Sequence, residues 1–214
     1  MKAVKSGSVF VDGVVAKNPA AQIKPSSLVL LNGKDIVYRE NVYLMLNKPV
    51  DYICSTKDGR NKTVLELLPP ELSSREPFAC GRLDIDTTGL VLLTDDGKWA
   101  HNITSPKKKC FKSYVVKSLL DLTEESMQQL REGVMLDGDD KVTLPAEIVE
   151  ISSRTYRLKI QEGRFHQVKR MFTTVGNRVL ELHRSSIGDI SLDDSLKEGE
   201  WRELTDEEVI LFKN

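Results

Sequence analysis

The sequence predicts an α+β fold, and three observations lead to that prediction. The 214 residues, with 40% apolar and 29% charged side chains, suit one ordinary globular domain, alone or with a small attachment. The predicted strands and helices follow one another irregularly, whereas a doubly wound sheet needs a regular alternation of the two. Apolar runs such as residues 28–31 and 90–93 are far too short to cross a bilayer.

The start of the chain and its cysteines indicate a cytoplasmic protein without membrane association. Met1 is followed by Lys-Ala-Val-Lys-Ser-Gly, which contains no apolar segment of the kind that a secretion signal needs. Cys54, Cys80 and Cys110 are odd in number and widely spaced. This spacing argues against a disulfide framework and against a cysteine-rich zinc site.

The first forty residues predict short strands joined by tight turns. Residues 8–15 have the pattern of a hairpin that turns at Asp12-Gly13, because Asp-Gly favours the positive φ angles of such turns. Residues 28–31 and 36–38 are predicted as further short strands around Asn32-Gly33.

A domain boundary is predicted near Asn41, which gives domains of residues 1–41 and 42–214. The glycine-bounded loop 81–88 precedes a buried strand, and Asp95-Asp96-Gly97 is predicted as the turn that closes it. Hydroxyl N-caps followed by acidic residues start two of the helices, and Gly176 ends a third. The predicted strands are residues 42–46, 90–94, 112–118, 146–152, 156–160 and 179–182, and the predicted helices are residues 123–133, 165–175 and a short one from Thr205.

The charge is balanced overall, at -1, but strongly segregated along the chain. Residues 97–120 carry six lysines and no acid, and residues 154–184 carry eight basic residues against two acids. Residues 121–153 and 189–214 are acidic. Because a protein that needs only solubility mixes the signs, we interpret the basic blocks as a positive face for a polyanion. An ordinary solvated charged face is the alternative.

The loop 81–88 is the first of three places with candidate reactive residues. Arg82 and Asp84 lie two residues apart, close to glycines, and directly before a buried strand that would hold them rigidly. Asp beside Gly is common in turns. On residue types alone, Asp84 is therefore more readily interpreted as a turn cap, with Arg82 in solvent.

The second place is the predicted helix start within residues 162–171. There Phe165 and Val168 face the core and Lys169 lies at the edge of that face, where a cation needs a carboxylate partner. An ordinary basic helix fits the spacing equally well. The third place is Lys112-Ser113-Tyr114, where the tyrosine either stacks on a base or is simply half-buried in a sheet.

Several common chemistries lack their usual motifs in this sequence. His101, His166 and His183 have no metal-ligand spacing, and no Walker loop or dinucleotide glycine pattern is present. The nucleophile elbow of serine hydrolases is absent as well.

Taken together, the three places resemble the pseudouridine synthases, and within them the RsuA family of small-subunit (16S) ribosomal RNA synthases. Gly81-Arg82-Leu83-Asp84 with Asp86-Thr87-Thr88-Gly89-Leu90 resembles the catalytic loop of that family, and Asn47-Lys48-Pro49 resembles its first motif. Lys112-Ser113-Tyr114 and residues 163–171 resemble the motifs that carry its tyrosine and its basic residue. The resemblance covers residues 42–211 and implies a catalytic fold with a central mixed, largely antiparallel sheet.

The resemblance implies an isomerase that detaches uracil from its ribose, turns it and rejoins it through carbon. Asp84 would be the nucleophile, at either the ribose anomeric carbon or the uracil ring, and Lys169 would keep it ionised. Tyr114 would pack on the flipped uracil and help to remove the proton from carbon. Arg82 would fill the space that the base leaves or hold the adjacent phosphate. Because the rearrangement is redox-neutral, no metal and no cofactor is expected.

The resemblance also implies a ribosomal RNA partner. We expect a monomer that binds 16S ribosomal RNA or a partly assembled small ribosomal subunit. Seven further basic residues are predicted to contact that RNA, namely Lys107, Lys108, Lys109, Lys112, Arg164, His166 and Arg170.

Residues 1–41 resemble the second half of an S4-type RNA-binding domain, without the helices that normally precede it. So short a segment buries little apolar surface, so we expect it to be marginally stable alone. We expect Val9, Val11 and Val15 to be partly exposed or to lean on the catalytic domain. We also expect the natural chain to begin further upstream.

Three alternatives remain open. The first is a large-subunit (23S) ribosomal RNA synthase of the same family. The second is a non-catalytic ribosomal RNA-binding protein, which does not need Asp84, Tyr114 and Lys169 together. The third is an aspartate-dependent hydrolase of nucleosides or sugars, which needs a second carboxylate for acid–base catalysis. Asp86 is a candidate for that role, although two residues so close in a loop need not face the same site.

Overall fold

The computed structural model describes residues 1–36 and 40–213. By its internal contacts the chain divides into two compact units, Met1–Glu40 and Asn41–Asn214. The elements of the first unit are α1 (Lys2–Lys5), β1 (Val9–Val11), β2 (Val14–Val15), β3 (Val29–Leu31) and β4 (Lys34–Asp35). The four strands form an antiparallel sheet in the order β2-β1-β3-β4.

Both turns of this sheet lie where the sequence predicts them. Asp12 and Gly13 have φ angles of 48° and 82°, and Asn32 and Gly33 have φ angles of 52° and 76°. The strand after the second turn, however, is β4 rather than residues 36–38, of which residues 37 and 38 lie outside the described part.

The small unit has no closed core among its described residues. None of its residues up to 36 is fully buried, and Val9 and Val11 are half-buried while Val15 is exposed. The S4-like character of this unit stays a prediction.

The strands of the second unit are β5 (Tyr43–Lys48), β6 (Tyr52–Ile53), β7 (Lys62–Thr63), β8 (Phe78–Ala79), β9 (Thr88–Thr94), β10 (Lys112–Ser118), β11 (Glu147–Ser152), β12 (Thr155–Ile160), β13 (Val179–Ile187), β14 (Ile190–Ser191) and β15 (Trp201–Glu203). Its helices are α2 (Pro70–Ser73), α3 (Gly97–Thr104), α4 (Glu124–Glu132), α5 (Gln167–Thr174) and α6 (Asp206–Ile210), with 3-10 turns at Val64–Leu67 and Pro106–Lys108.

Most of these strands form a nine-stranded sheet with the path β11-β12-β10-β13-β9-β5-β15, to which β8 and β14 add at β9 and β13. Among the described residues of this sheet only the pair β9–β13 is parallel, which confirms the predicted α+β fold with a mixed, largely antiparallel sheet. A separate small sheet pairs β6 with β7 in parallel.

The central strands are buried on both faces, which explains their unbroken apolar sequence. In β9, Val91 and Leu93 belong to one core cluster, whereas Leu90 and Leu92 belong to another. Helices α4 and α5 contribute to the first cluster, and α3 and α6 contribute to the second. A strand covered on both faces loses the alternation of polar and apolar residues. The loop 81–88, which leads into β9, is therefore attached to a rigid element.

The caps of the helices agree with the prediction in two cases and correct it in one. The Thr123 hydroxyl accepts a hydrogen bond from Ser126 N at the start of α4, and Thr205 forms the predicted capping box with Glu208. The segment that begins at Asp96, by contrast, is not only a turn. The Asp96 carboxylate accepts hydrogen bonds from the backbone N–H groups of Lys98 and Trp99 and starts α3.

The predicted helix 165–175 begins two residues later than expected, and this places Phe165 differently. His166 has a φ of 47°, in the left-handed region, so the helical backbone starts only at Gln167. Phe165 is 72% exposed rather than part of the core. Its ring stacks on the imidazole of His166, with centroids 3.8 Å apart.

Gly89→Ala is expected to destabilise the second unit. Gly89 has a φ of 103°, and an added Cβ would lie 2.8 Å from Arg184 N and closer still to the Arg184 carbonyl oxygen. A backbone clash in a strained conformation costs roughly 2–5 kcal/mol of unfolding free energy. Denaturant unfolding measures the loss, with Gly97→Ala as the control, because nothing lies within 4 Å of a Cβ at that position. Equal stability of the two variants would contradict this packing.

Candidate active site

Two buried cations hold the loop 81–88 in place. Lys48, at the end of β5, is fully buried, and its Nζ donates to the carbonyl oxygens of Pro49, Ile85 and Thr87 at 2.8, 3.3 and 2.9 Å. Burial lowers the pKa of Lys48. Arg184, on β13, donates from Nη2 to the Gly81 carbonyl at 3.2 Å. The loop is thus fixed from two strands.

Asp84 and Lys169 form an ion pair within the site. Lys169 Nζ, on α5, lies 3.1 Å from Asp84 Oδ2 and 2.5 Å from Asp86 Oδ1. Nε2 of His166 lies 3.5 Å from Asp84 Oδ1. The side chains of Asp84 and Lys169 are 28% and 26% exposed, so the pair is partly shielded but open to a ligand.

Asp84 and Asp86 share the ammonium group of Lys169, and this affects the protonation of Lys169. Partial burial lowers the pKa of Lys169, but its hydrogen bonds to Asp86 and Asp84 outweigh burial and raise the pKa above its ordinary value. Partial burial raises the pKa of Asp86, but the hydrogen bond and the positive charge of Lys169 outweigh burial and bring that pKa below its ordinary value. Lys169 is therefore a cation throughout the neutral pH range.

A cavity of about 340 Å³ opens beside this ion pair. Asp84 and Lys169 line one part of it, and Tyr114, which projects from β10 and is 9% exposed, lines another. Arg82 is exposed and also lines the cavity. The four residues that the sequence singles out for catalysis thus border one space, although they come from a loop, a strand and a helix.

Two of the residues predicted to bind RNA are engaged by protein groups instead. Arg164 pairs with Asp139 and Glu162 at 2.9 and 3.2 Å, and Arg170 pairs with Asp139 at 2.6 Å. The hydrogen bonds from Arg170 and Arg164 lower the pKa of Asp139. Because their guanidinium groups are occupied, both arginines tie residue 139 to α5 and to the segment before it, rather than being free for phosphate.

The predicted lysines differ in their surroundings. Lys107 and Lys108 are exposed on the 3-10 turn that follows α3, and Lys109 is exposed directly after it. Lys112 is half-buried and lines the cavity, where its Nζ donates to the Cys110 carbonyl at 2.7 Å. Burial lowers the pKa of Lys112. Lys112 therefore belongs to the cavity, and the other three belong to the surface.

Sequence reasoning placed Lys48 in a family motif without giving it a role, assigned none to Arg184, and predicted an RNA contact for His166 but not its stacking on Phe165. Lys48 closely follows the apolar run 44–46 of β5, and this was the available signal for it. The strand β13 also contains Glu181 and His183, so its sequence offered no comparable signal for Arg184. Across the described ranges, no group of three His, Cys, Asp or Glu side chains has the arrangement of a metal site. Within those same ranges, every helix is too short or too polar to span a membrane.

Comparison with known proteins gives consistent similarities. The sequence profile of the RNA pseudouridylate synthase family matches residues 42–174. A Vibrio cholerae protein named ribosomal small subunit pseudouridine synthase A is 46% identical over 206 residues, which are 96% of this chain and 89% of that protein. A Yersinia pestis protein of the same name is 47% identical over 207 residues, covering 96% of this chain and 88% of that protein.

A solved structure shows the same similarity in three dimensions. This crystal structure of a pseudouridylate synthase is 41% identical in sequence to the chain and matches it with a TM-score of 0.77. The match covers 98% of this chain and 90% of the other.

Proposed function

The chain belongs to the RNA pseudouridylate synthase family, and on that basis we propose that it isomerises a specific uridine of 16S ribosomal RNA to pseudouridine. The small-subunit target is supported by the names of the bacterial relatives, which are 46% and 47% identical to the chain. The observation that carries the proposal is Asp84, held 3.1 Å from Lys169 on the wall of a cavity that Tyr114 also lines.

The proposed reaction exchanges one bond of the anomeric carbon for another. The bond between the uracil nitrogen and the anomeric carbon breaks, uracil turns, and a ring carbon forms the new bond. One proton leaves that ring carbon and one joins the freed nitrogen, so atoms and electrons balance without an external oxidant. Asp84 serves as the nucleophile, either at the anomeric carbon or at the uracil ring.

Lys169 keeps the Asp84 carboxylate charged when RNA covers the cavity. Covering a carboxylate removes water and favours its neutral form, and an adjacent cation opposes that effect. Asp86 shares Lys169 from the exposed side and helps to hold its ammonium group in position.

Tyr114, Arg82 and His166 complete the proposed site. Tyr114 packs on the flipped uracil and assists removal of the proton from carbon. Arg82, exposed at the cavity, takes the space that the base leaves in its stack or holds the phosphate beside it. His166, within 3.5 Å of Asp84, contacts the RNA.

The proposed partner is 16S ribosomal RNA or a partly assembled small ribosomal subunit, bound by a monomer in the cytoplasm. Relatives that are named for the small subunit support this assignment. We further propose that residues 1–41 are an S4-like RNA-binding segment. The small antiparallel sheet of this unit fully buries none of its described residues, so we expect binding to a partner to stabilise it.

Initial rates on different RNAs test the target assignment. Wild-type protein is incubated with 16S ribosomal RNA, with partly assembled small subunits and with 23S ribosomal RNA under identical conditions. We expect pseudouridine formation on one or both of the small-subunit substrates and none above background on 23S RNA. Faster reaction on 23S RNA would favour the large-subunit alternative.

Replacing Lys107, Lys108 and Lys109 together with Gln should weaken RNA binding without changing which uridine is modified. Each phosphate contact to single-stranded RNA adds about 0.7 to the slope of log affinity against log salt, so the slope should fall by up to roughly 2. The control variant, Lys57→Gln with Lys117→Gln, removes exposed lysines from other parts of the chain, where they pair with Glu76 and Glu181. A new modification site in the triple variant would show that this turn recognises RNA structure.

A further inference from the structure

Two cations of the second unit, Lys112 and Arg184, lie on the wall of the cavity. Lys112 is the first residue of β10, and Arg184 lies on β13, the neighbouring strand, where it is paired with Tyr114. A shift in the strand register between Ser113 and Tyr114 occurs at this point. Lys112, Tyr114 and Arg184 all line the 340 Å³ cavity.

Neither cation is neutralised by a carboxylate of the described residues. Lys112 Nζ donates to the Cys110 carbonyl at 2.7 Å, and Arg184 Nε donates to the Leu90 carbonyl at 2.8 Å. Arg184 is only 2% exposed, and its Nη1 has no acceptor within residues 1–36 and 40–213. A buried charge without a counter-charge is costly to maintain. This arrangement suggests that an anion from outside the protein completes it.

The cavity is therefore electrostatically asymmetric. Around the loop 81–88, Lys169 is balanced by Asp84 and Asp86. Around Lys112 and Arg184, the positive charge is unbalanced. Burial is the largest cause of the lowered pKa of Lys112, and the charge of Arg184 lowers it as well. The region around Lys112 and Arg184 suits an anion, and the region around Asp84 suits an electrophilic carbon. A ligand that carries both groups would match the cavity.

We propose that Lys112 and Arg184 form a phosphodiester subsite that binds a phosphate flanking the target uridine. This inference rests on the proposed function and adds to it the group by which the nucleotide is held. The flanking phosphates are the anionic groups of a uridine in RNA, and a guanidinium N–H with an ammonium group suits their oxygens. Since Arg184 also holds the Gly81 carbonyl at 3.2 Å, the subsite connects the bound phosphate to the start of the loop that carries Asp84.

Lys112→Gln is the informative variant, because replacing Arg184 would also release the loop and β9. The control is Lys117→Gln, which removes the same charge from the same strand at an exposed position paired with Glu181. Thermal unfolding of both variants verifies that they are folded. We expect Lys112→Gln to lower kcat/KM on unmodified RNA by roughly 10- to 100-fold, the loss of a charge-assisted hydrogen bond. Lys112→Arg should restore part of that loss, and Lys117→Gln should remain within a factor of about two.

Neutral RNA linkages identify the group that Lys112 contacts. Three RNAs are compared, with an ordinary phosphodiester, a methylphosphonate 5′ to the target uridine or a methylphosphonate 3′ to it. We expect one of the two methylphosphonates to slow the wild type. On that RNA alone, Lys112→Gln should lower kcat/KM little further, because the two changes remove the same contact.

Two results would overturn the subsite. One is an equal loss of kcat/KM in Lys112→Gln on all three RNAs, while the wild type remains active. This result would contradict the subsite but not the proposed function. The other is a wild type that forms no pseudouridine on unmodified RNA, which would remove the proposed function and the subsite with it.

Discussion

Asp84→Asn is expected to form no measurable pseudouridine while binding RNA nearly as tightly as the wild type. An amide cannot replace the carboxylate as nucleophile. The affinity changes little, because one neutralised side chain is a small part of a contact made of many phosphates. Single-turnover assays of pseudouridine formation measure the first effect, and RNA titrations at fixed salt measure the second.

A matched variant separates the nucleophile from its neighbour. Asp86→Asn also removes a carboxylate from Lys169, but it leaves the 3.1 Å contact between Lys169 and Asp84 in place. We expect Asp86→Asn to retain measurable turnover. Turnover near the wild-type rate in Asp84→Asn, or its complete loss in Asp86→Asn alone, would contradict the assignment of Asp84.

Lys169→Ala is expected to lower the rate far more than the affinity for RNA. The substitution leaves the Asp84 carboxylate without its cation at 3.1 Å. Loss of a hydrogen bond to a charged group costs about 1.5–3 kcal/mol, or roughly 10- to 100-fold in rate. Single-turnover rates at saturating RNA, compared with dissociation constants, distinguish the two effects.

The pH dependence of Lys169→Ala provides a second test. Removing a cation from beside a carboxylate makes the charged form of the carboxylate less favoured. The acid limb of the pH–rate profile should therefore move to higher pH. Lys169→Arg keeps the cation and should keep the limb near its wild-type position. An unchanged limb in Lys169→Ala would mean that Lys169 serves only to bind phosphate.

The sequence predicted well those parts of the fold that depend on local patterns. The strand Lys112–Ser118 was predicted with its observed bounds, and Thr123 caps α4 as its hydroxyl and the following acids indicated. Helix α3 was missed because Asp95-Asp96-Gly97 has the composition of a turn. The spacing of Trp99, Ala100 and Ile103 after an Asp N-cap was the signal for that helix.

The candidate site residues that the sequence predicts lie in motifs, whereas contacts between distant residues were not predicted. Asp84, Tyr114 and Lys169 lie in motifs that resemble those of the family, and they line one cavity. The engagement of Arg164 and Arg170 by Asp139 joins positions 25 and 31 residues apart, which no local pattern reports. The same is true of Arg184, whose partner carbonyls at Leu90 and Gly81 are 94 and 103 residues away.

The position of Phe165 shows how one backbone angle changes a prediction. Its spacing from Val168 and Met171 fits a helix face, but the left-handed conformation of His166 delays the helix and leaves the ring exposed. Histidine is enriched at positive φ, but only a few per cent of residues other than glycine adopt such angles, so the sequence contained little warning of this break.

Mapping of new pseudouridines in 16S ribosomal RNA tests the central claim most directly. RNA that lacks pseudouridine is incubated, free and in partly assembled small subunits, with wild-type protein or with Asp84→Asn, and every modified position is then identified. The proposed function predicts one new pseudouridine, at the same position in repeated experiments, with the wild type and none with the variant. No new pseudouridine with the wild type in either substrate, or the same one with Asp84→Asn, would contradict it.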